Sequence, residues 1–194
     1  GWDNQIFTVE RYFIGNVLDK LSLNRVNLKN FNFKTAIFKN TKFNQCKFYD
    51  TSFFDAEICD KMEYILCEIK NSNMKFKNNN VENKIKFTDC KIDNVDLNVL
   101  CESRFIRCYI KQLTININDI RELSFEKCSI DKIIINGGIA NTKIYFNACI
   151  FNTSIDLCKY KGKINIQTKC LKLADESLFK NLDEVRLVGS GKIS

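Results

Sequence analysis

The chain has 194 residues, 45% hydrophobic, 27% charged and 12% aromatic, with a formal net charge of +7 and a pI near 8.8. That much apolar material excludes a disordered chain and suits a single domain spanning 1–194. The sequence contains no histidine, which excludes Ser-His-Asp and Cys-His catalysis and histidine-based zinc sites; no run of ~18 uncharged apolar residues suggests a membrane span, so a soluble cytoplasmic protein is expected.

Residues 1–20 read as an N-terminal cap with two readings. Val9, Phe13, Val17 and Leu21 step by four, which suggests a short amphipathic helix. Phe13, Leu18 and Leu23 step by five, which suggests a first coil instead.

From 21 to 60 the chain divides into pentads: LSLNR VNLKN FNFKT AIFKN TKFNQ CKFYD TSFFD AEICD. The third places are Leu23, Leu28, Phe33, Phe38, Phe43, Phe48, Phe53 and Ile58, all large and apolar; the first places are uncharged and mostly small or medium. A five-residue step turns ~500° on an α-helix and scatters these rings around the axis. On a flat strand it sends successive rings to opposite faces. All of them reach one core only if the chain turns a corner at each pentad. Four corners bring it back to its starting direction after about twenty residues, so that Leu28 lies under Phe48 and Phe33 under Phe53, at the ~4.8 Å strand spacing.

VNLKN, CKFYD and TSFFD resemble the repeats of the pentapeptide-repeat proteins, whose motif is roughly A-(D/N)-L-x-x. The resemblance implies an all-β fold, a right-handed quadrilateral β-helix, here a solenoid over 21–173. Beyond 60 the pattern returns in weaker form, in pairs such as Cys67/Ile69, Cys90/Ile92, Leu123/Phe125, Ile144/Phe146 and Ile155/Leu157.

Ten cysteines contain no C-x-x-C. Cys108, Cys128 and Cys149 lie 20 and 21 residues apart and each precedes a central residue by two. They are expected to form a buried column of free thiols in a reducing compartment rather than a metal site, which needs ligands converging on one point. The run Lys77, Asn78, Asn79, Asn80, Val81, Glu82, Asn83 breaks the register as a projecting loop, and 137–142 is a second; loops on a rigid scaffold are where partner contacts tend to sit. The C-terminal stretch 174–194 reads as a cap, with a helix over ADESLFKNLDEV that opens at Asp175 and carries Leu178, Phe179, Leu182 and Val185 on one face. The resemblance would make such an end a homodimer contact.

No catalytic residue, metal or cofactor is assigned. Asp89, Asp93 and Asp96 are expected on separate outward faces, whereas paired carboxylates need a shared cleft. Between Lys20 and Tyr49 there is no acidic residue, and Lys29, Lys34 and Lys39 are expected on three successive faces as a basic belt. Lys159, Lys161, Lys163, Lys169 and Lys172 make a second cluster. Some bacterial pentapeptide-repeat proteins, the quinolone-resistance type, resemble duplex DNA and bind DNA gyrase or topoisomerase IV; a net charge of +7 departs from that pattern, since a groove built for phosphates needs an acidic mimic. The expected function is therefore non-catalytic binding of a partner protein through faces and loops, with Lys77, Asn78, Asn79, Asn80, Lys29, Lys34 and Lys39 as candidate contacts. Topoisomerase mimicry and nucleic-acid binding through the belt stand as alternatives.

Overall fold

The computed structural model describes residues 13–77, 82–99, 101–117, 122–138, 142–152, 155–160, 163–167 and 184–188. Over these residues the chain is an all-β parallel solenoid, with about six turns between Val17 and Lys143 and no helix. One stack of strands runs β1 (Val17–Asp19), β3 (Ile37–Asn44), β5 (Glu57–Ile65), β7 (Lys84–Thr88), β9 (Glu102–Ile106), β12 (Glu122–Glu126), β15 (Lys143–Asn147), β18 (Lys163–Gln167) and β19 (Glu184–Val188), with β2 (Ser22–Asn24) beside β3. A second stack runs β4 (Lys47–Tyr49), β6 (Glu68–Lys75) and β8 (Lys91–Val99). It then continues on two lines. One is β10 (Tyr109–Ile110), β13 (Ser129–Ile130) and β16 (Ile150–Phe151); the other is β11 (Leu113–Ile117), β14 (Ile133–Gly137) and β17 (Ile155–Tyr160).

The corners have a backbone cause. Lys20, Arg25, Asn30, Thr35, Asn40, Gln45, Asp50, Asp55 and Asp60, one in every five residues, all have φ between 50° and 68°. This left-handed conformation costs most L-residues about 1–2 kcal/mol and suits Asn and Asp best. Five of the eight residues that end the pentads of 21–60 are Asn or Asp. The inward side chains follow: Leu28, Phe33, Phe38, Phe43, Phe48 and Phe53 are wholly buried, and Phe33 stacks on Phe53 with centroids 4.8 Å apart. Bridges Asn27↔Lys47 and Asn32↔Ser52 set this one-turn register.

After Phe76 the solenoid changes section. The first segment of the turn is stacked three deep, as Val17–Asp19, Ile37–Lys39 and Glu57–Cys59, and then ends, because β7 pairs only with Lys61–Ile65. The chain closes this edge with side chains and loop ends. Lys77 donates its N–H to Ala56 O at 2.7 Å and its ammonium lies 3.3 Å from Glu57. Asn83, 9% exposed, accepts the N–H of Asp60 through Oδ1 at 3.0 Å and donates through Nδ2 to Ile58 O. From here on the spacing between the end of one long segment (Lys75, Val99, Ile117, Gly137, Tyr160) and the start of the next (Lys84, Glu102, Glu122, Lys143, Lys163) varies from turn to turn, and the register also shifts along β17, between Ile134 and Asn136 of its partner β14.

At the opposite edge nothing varies. Six copies of one pattern, an aromatic, two residues, Cys, one residue, then Ile or Phe, begin at Phe43, Tyr64, Phe87, Phe105, Phe125 and Phe146. The residue before each Cys (Gln45, Leu66, Asp89, Arg107, Lys127, Ala148) is left-handed. The six rings form one stack with centroid spacings of 5.1, 4.9, 4.7, 4.8 and 4.8 Å, the last four pairs within 11° of parallel. Dispersion between such rings adds to the transfer free energy of burying them.

Of the ends, Phe13 is buried, Leu18 packs against the core and Val17 is exposed in β1, so residues 13–20 follow the coil reading and not the helical one. Residues 174–183 and 189–194 lie outside the described residues. Glu184 and Val185, the last two positions of the expected helix, are instead in β19, paired with Lys163 and Ile164.

Candidate interaction faces

The six corner cysteines are buried thiols that form no disulfide. Cys108, Cys128 and Cys149 are joined below by Cys46, Cys67 and Cys90. Each thiol lies within hydrogen-bond reach of the carbonyl two residues back and of one a turn below, which belongs to Leu23 for Cys46 and to the ring residue for the other five, as Cys108 reaches Ile106 O and Phe87 O, both at 3.5 Å. The neighbouring Cys67 thiol holds Cys46 down at about 7, and Cys67 itself is pushed up to about 12 by its interaction with Cys46 and by burial. At Cys90 a bond with Cys108 pulls down, but the bond with Cys67 and burial outweigh it and leave about 12. Cys101, outside the column, is pushed to about 12 by burial. A column spread along the axis builds a wall, and its sulfurs do not surround a common point.

The outward side chains are also stacked. Asn24–Asn44 (2.8 Å), Arg25–Gln45 (2.8 Å), Asn71–Asn94 (2.9 Å) and Asn116–Asn136 (3.1 Å) bond from turn to turn. The three acids singled out in the sequence do not converge. Asp89 takes a two-pronged bond from Arg107, which holds its carboxyl below the usual range; Asp93 lies 3.2 Å from Lys111; Asp96 stands on another segment, beside Asn73 and Thr114.

Lys29, Lys34 and Lys39 are exposed and each precedes a left-handed residue, Asn30, Thr35 and Asn40. They stand on three successive segments of one turn and share no face. Lys77 is anchored to the edge of the ended segment, and Asn78, Asn79 and Asn80 lie outside the described residues, as do Lys161, Lys169 and Lys172.

The structure assembles a cationic face that the sequence reading did not find. In the stack of β4, β6 and β8, Lys47, Glu68 and Lys91 share one column, and Tyr49, Lys70 and Asp93 the next. The bridge Asn27↔Lys47 places Lys29 in line with Tyr49. Lys29, Lys47, Lys70 and Lys91 therefore alternate between two columns over four turns, about 4.8 Å apart along the axis and ~6.7 Å across. All four are exposed and make no ion pair with another described residue, whereas Lys84, Arg104, Arg107, Lys111 and Lys127 farther along are paired. The signal was present in the corner pattern: Lys47 and Lys91 directly follow Cys46 and Cys90, and Lys70 stands three beyond Cys67.

Two tyrosines lie on the same face. The Tyr49 phenol is pushed up to about 12 by burial and by the Glu68 carboxylate of the next turn. Tyr109, 43% exposed and paired with Lys91 in the register, donates to Asp131 Oδ2 at 2.6 Å.

On the neighbouring face the column Arg104, Ser124, Tyr145 has its smallest member in the middle. The result is a pit of about 410 Å³ walled by Arg104, Tyr145, Glu122, Glu126, Ile106 and Asn147. Arg104 is held by Glu102 (Nε–Oε1 2.7 Å) and lies 3.9 Å from Glu122. No family model and no curated protein matches the chain.

Proposed function

We propose that the chain is a pentapeptide-repeat-type solenoid, right-handed and four-sided over its first turns, that acts without catalysis by binding a partner protein. The five-residue spacing of its left-handed residues from Lys20 to Asp60 supports the repeat type. Right-handed crossovers are the rule for parallel strands. The binding role rests on the pit over Ser124: tyrosine and arginine walls around a pocket are the surroundings in which interface side chains are most strongly held. The corner thiols, which form no disulfide, support a reducing compartment such as the cytoplasm. The face of Lys29, Lys47, Lys70 and Lys91 weighs against duplex mimicry, because it repels the same groove that phosphates enter.

Capture from the native cell with the unaltered chain and with Ser124→Trp, which fills the pit, tests the reading. A protein retained by the first and lost with the second, at unchanged circular dichroism, supports it. The same set of proteins with both overturns it.

A further inference from the structure

We infer that the face built by β4, β6, β8 and β10 binds single-stranded nucleic acid, with Lys29, Lys47, Lys70 and Lys91 on the phosphates and Tyr49 and Tyr109 against the bases. This site is separate from the pit and does not depend on what the pit holds.

Three observations converge on it. The four lysines are exposed and make no ion pair among the described residues, and they form a zigzag along the rod axis about 15 Å long at ~4.8 Å per turn. A line of free cations along a straight face follows an extended polyanion; scattered surface cations do not. Two anions on this face are already engaged: Asp93 with Lys111 at 3.2 Å, and Asp131 with Tyr109 at 2.6 Å and Asn152 at 2.6 Å. Finally, the Tyr109 phenol is tied to the Asp131 carboxylate of the next turn, so that ring is held in place before a ligand arrives, which lowers the ordering cost of binding.

Cations that track a backbone, interleaved with aromatic rings, are the two parts of a single-strand site, because every base offers a flat face whatever its identity. A duplex keeps its bases stacked and out of reach of these rings. An acidic protein would use the lysines but would have no base to place on the tyrosines. The expected preference is therefore for unpaired strands with little sequence selectivity.

Fluorescence anisotropy of a labelled twelve-nucleotide oligo-dT with the full chain, over a salt series, tests this. Four phosphate contacts on a single strand predict a slope of log K against log salt near −3. Lys47→Glu with Lys91→Glu is expected to abolish binding at low salt, and Tyr109→Ala to weaken it about tenfold. Lys34→Glu, on another segment, is expected to leave it unchanged. An equally charged polyglutamate peptide or a duplex of the same length binding as tightly as oligo-dT overturns the inference, as does binding unaffected by Tyr109→Ala.

Discussion

The side chain of Asn83 does the work of a β-strand for Asp60. Its amide accepts the Asp60 N–H at 3.0 Å and gives its own hydrogens to Ile58 O, so one residue supplies the donor and the acceptor that the next turn would have supplied. Without it, the place where the first segment stops would be a bare edge inside the rod, and such edges invite pairing with other chains.

Asn83→Leu leaves the Asp60 N–H without its acceptor. An orphaned group costs about 1–3 kcal/mol, and a chain of this size loses roughly 2–4 °C of melting temperature per kcal/mol. A fall of about 3 °C or more in a thermal melt, on that scale, together with a greater tendency to aggregate, is the expected result. A melt unchanged within 1 °C, on the scale just estimated, contradicts the capping role.

The ring stack gives a second expectation. Phe105 has a ring 4.7 Å away on one side and 4.8 Å on the other, at 7° and 11°. Phe105→Ala removes both contacts and leaves a cavity, at a cost of about 3–5 kcal/mol. Phe105→Leu fills most of the volume and should lose about half as much. Chemical denaturation followed by near-ultraviolet circular dichroism distinguishes the two.

Buried thiols make stability depend on pH. Cys67, Cys90 and Cys101 sit at about 12 in the folded chain against an ordinary 9.0. Between those values the unfolded chain has lost these protons and the folded chain keeps them, so the stabilisation is complete below pH 9 and is lost as pH rises through 12. Each thiol contributes a slope of about 1.4 kcal/mol per pH unit over that window. Denaturant midpoints should fall steadily from pH 9 to pH 11, and Cys101→Ala should make the fall less steep. An identical slope in that variant contradicts the assignment.

Leu66 offers the opposite sign. It is the one leucine among the left-handed residues, at φ 53° and 52% exposed, in a row whose other members include Gln45, Asp89 and Arg107. Leu66→Asn keeps the backbone bond from this N–H to Thr88 O (2.9 Å) and relieves the conformation. A gain of about 1 kcal/mol in denaturant unfolding is expected, with no change in the spectrum of the folded state.

Much of this was legible in the sequence where the clock is strict. From Leu23 to Ile58 the five-residue period alone placed the buried rings, and the Asn and Asp residues closing the pentads carried the reason for the corners, although that reason was not drawn from them. The period was lost where the first segment disappears, because a turn of 18 to 23 residues no longer divides by five. The cysteine spacing still located the corner for Cys108, Cys128 and Cys149. It missed Cys46, Cys67 and Cys90, whose separations are irregular although their surroundings are the same. The lysine face was hidden for a similar reason: Lys29, Lys47, Lys70 and Lys91 belong to four different turns and meet only when the register is known, whereas Lys29, Lys34 and Lys39, close in sequence, turn away from one another. Of the helix expected over 174–185 only Glu184 and Val185 fall among the described residues, where they open β19.

The invariant corner and the variable edge give the molecule a seam. One residue added between Tyr64 and Cys67 would carry the thiol out to solvent and turn every later side chain of that turn the wrong way round. Several residues added between Gly137 and Lys143 would only lengthen a connection. New surface can therefore be grafted along that line while the cysteine corner opposite keeps its register, and a library of insertions should survive there far better than at the corner.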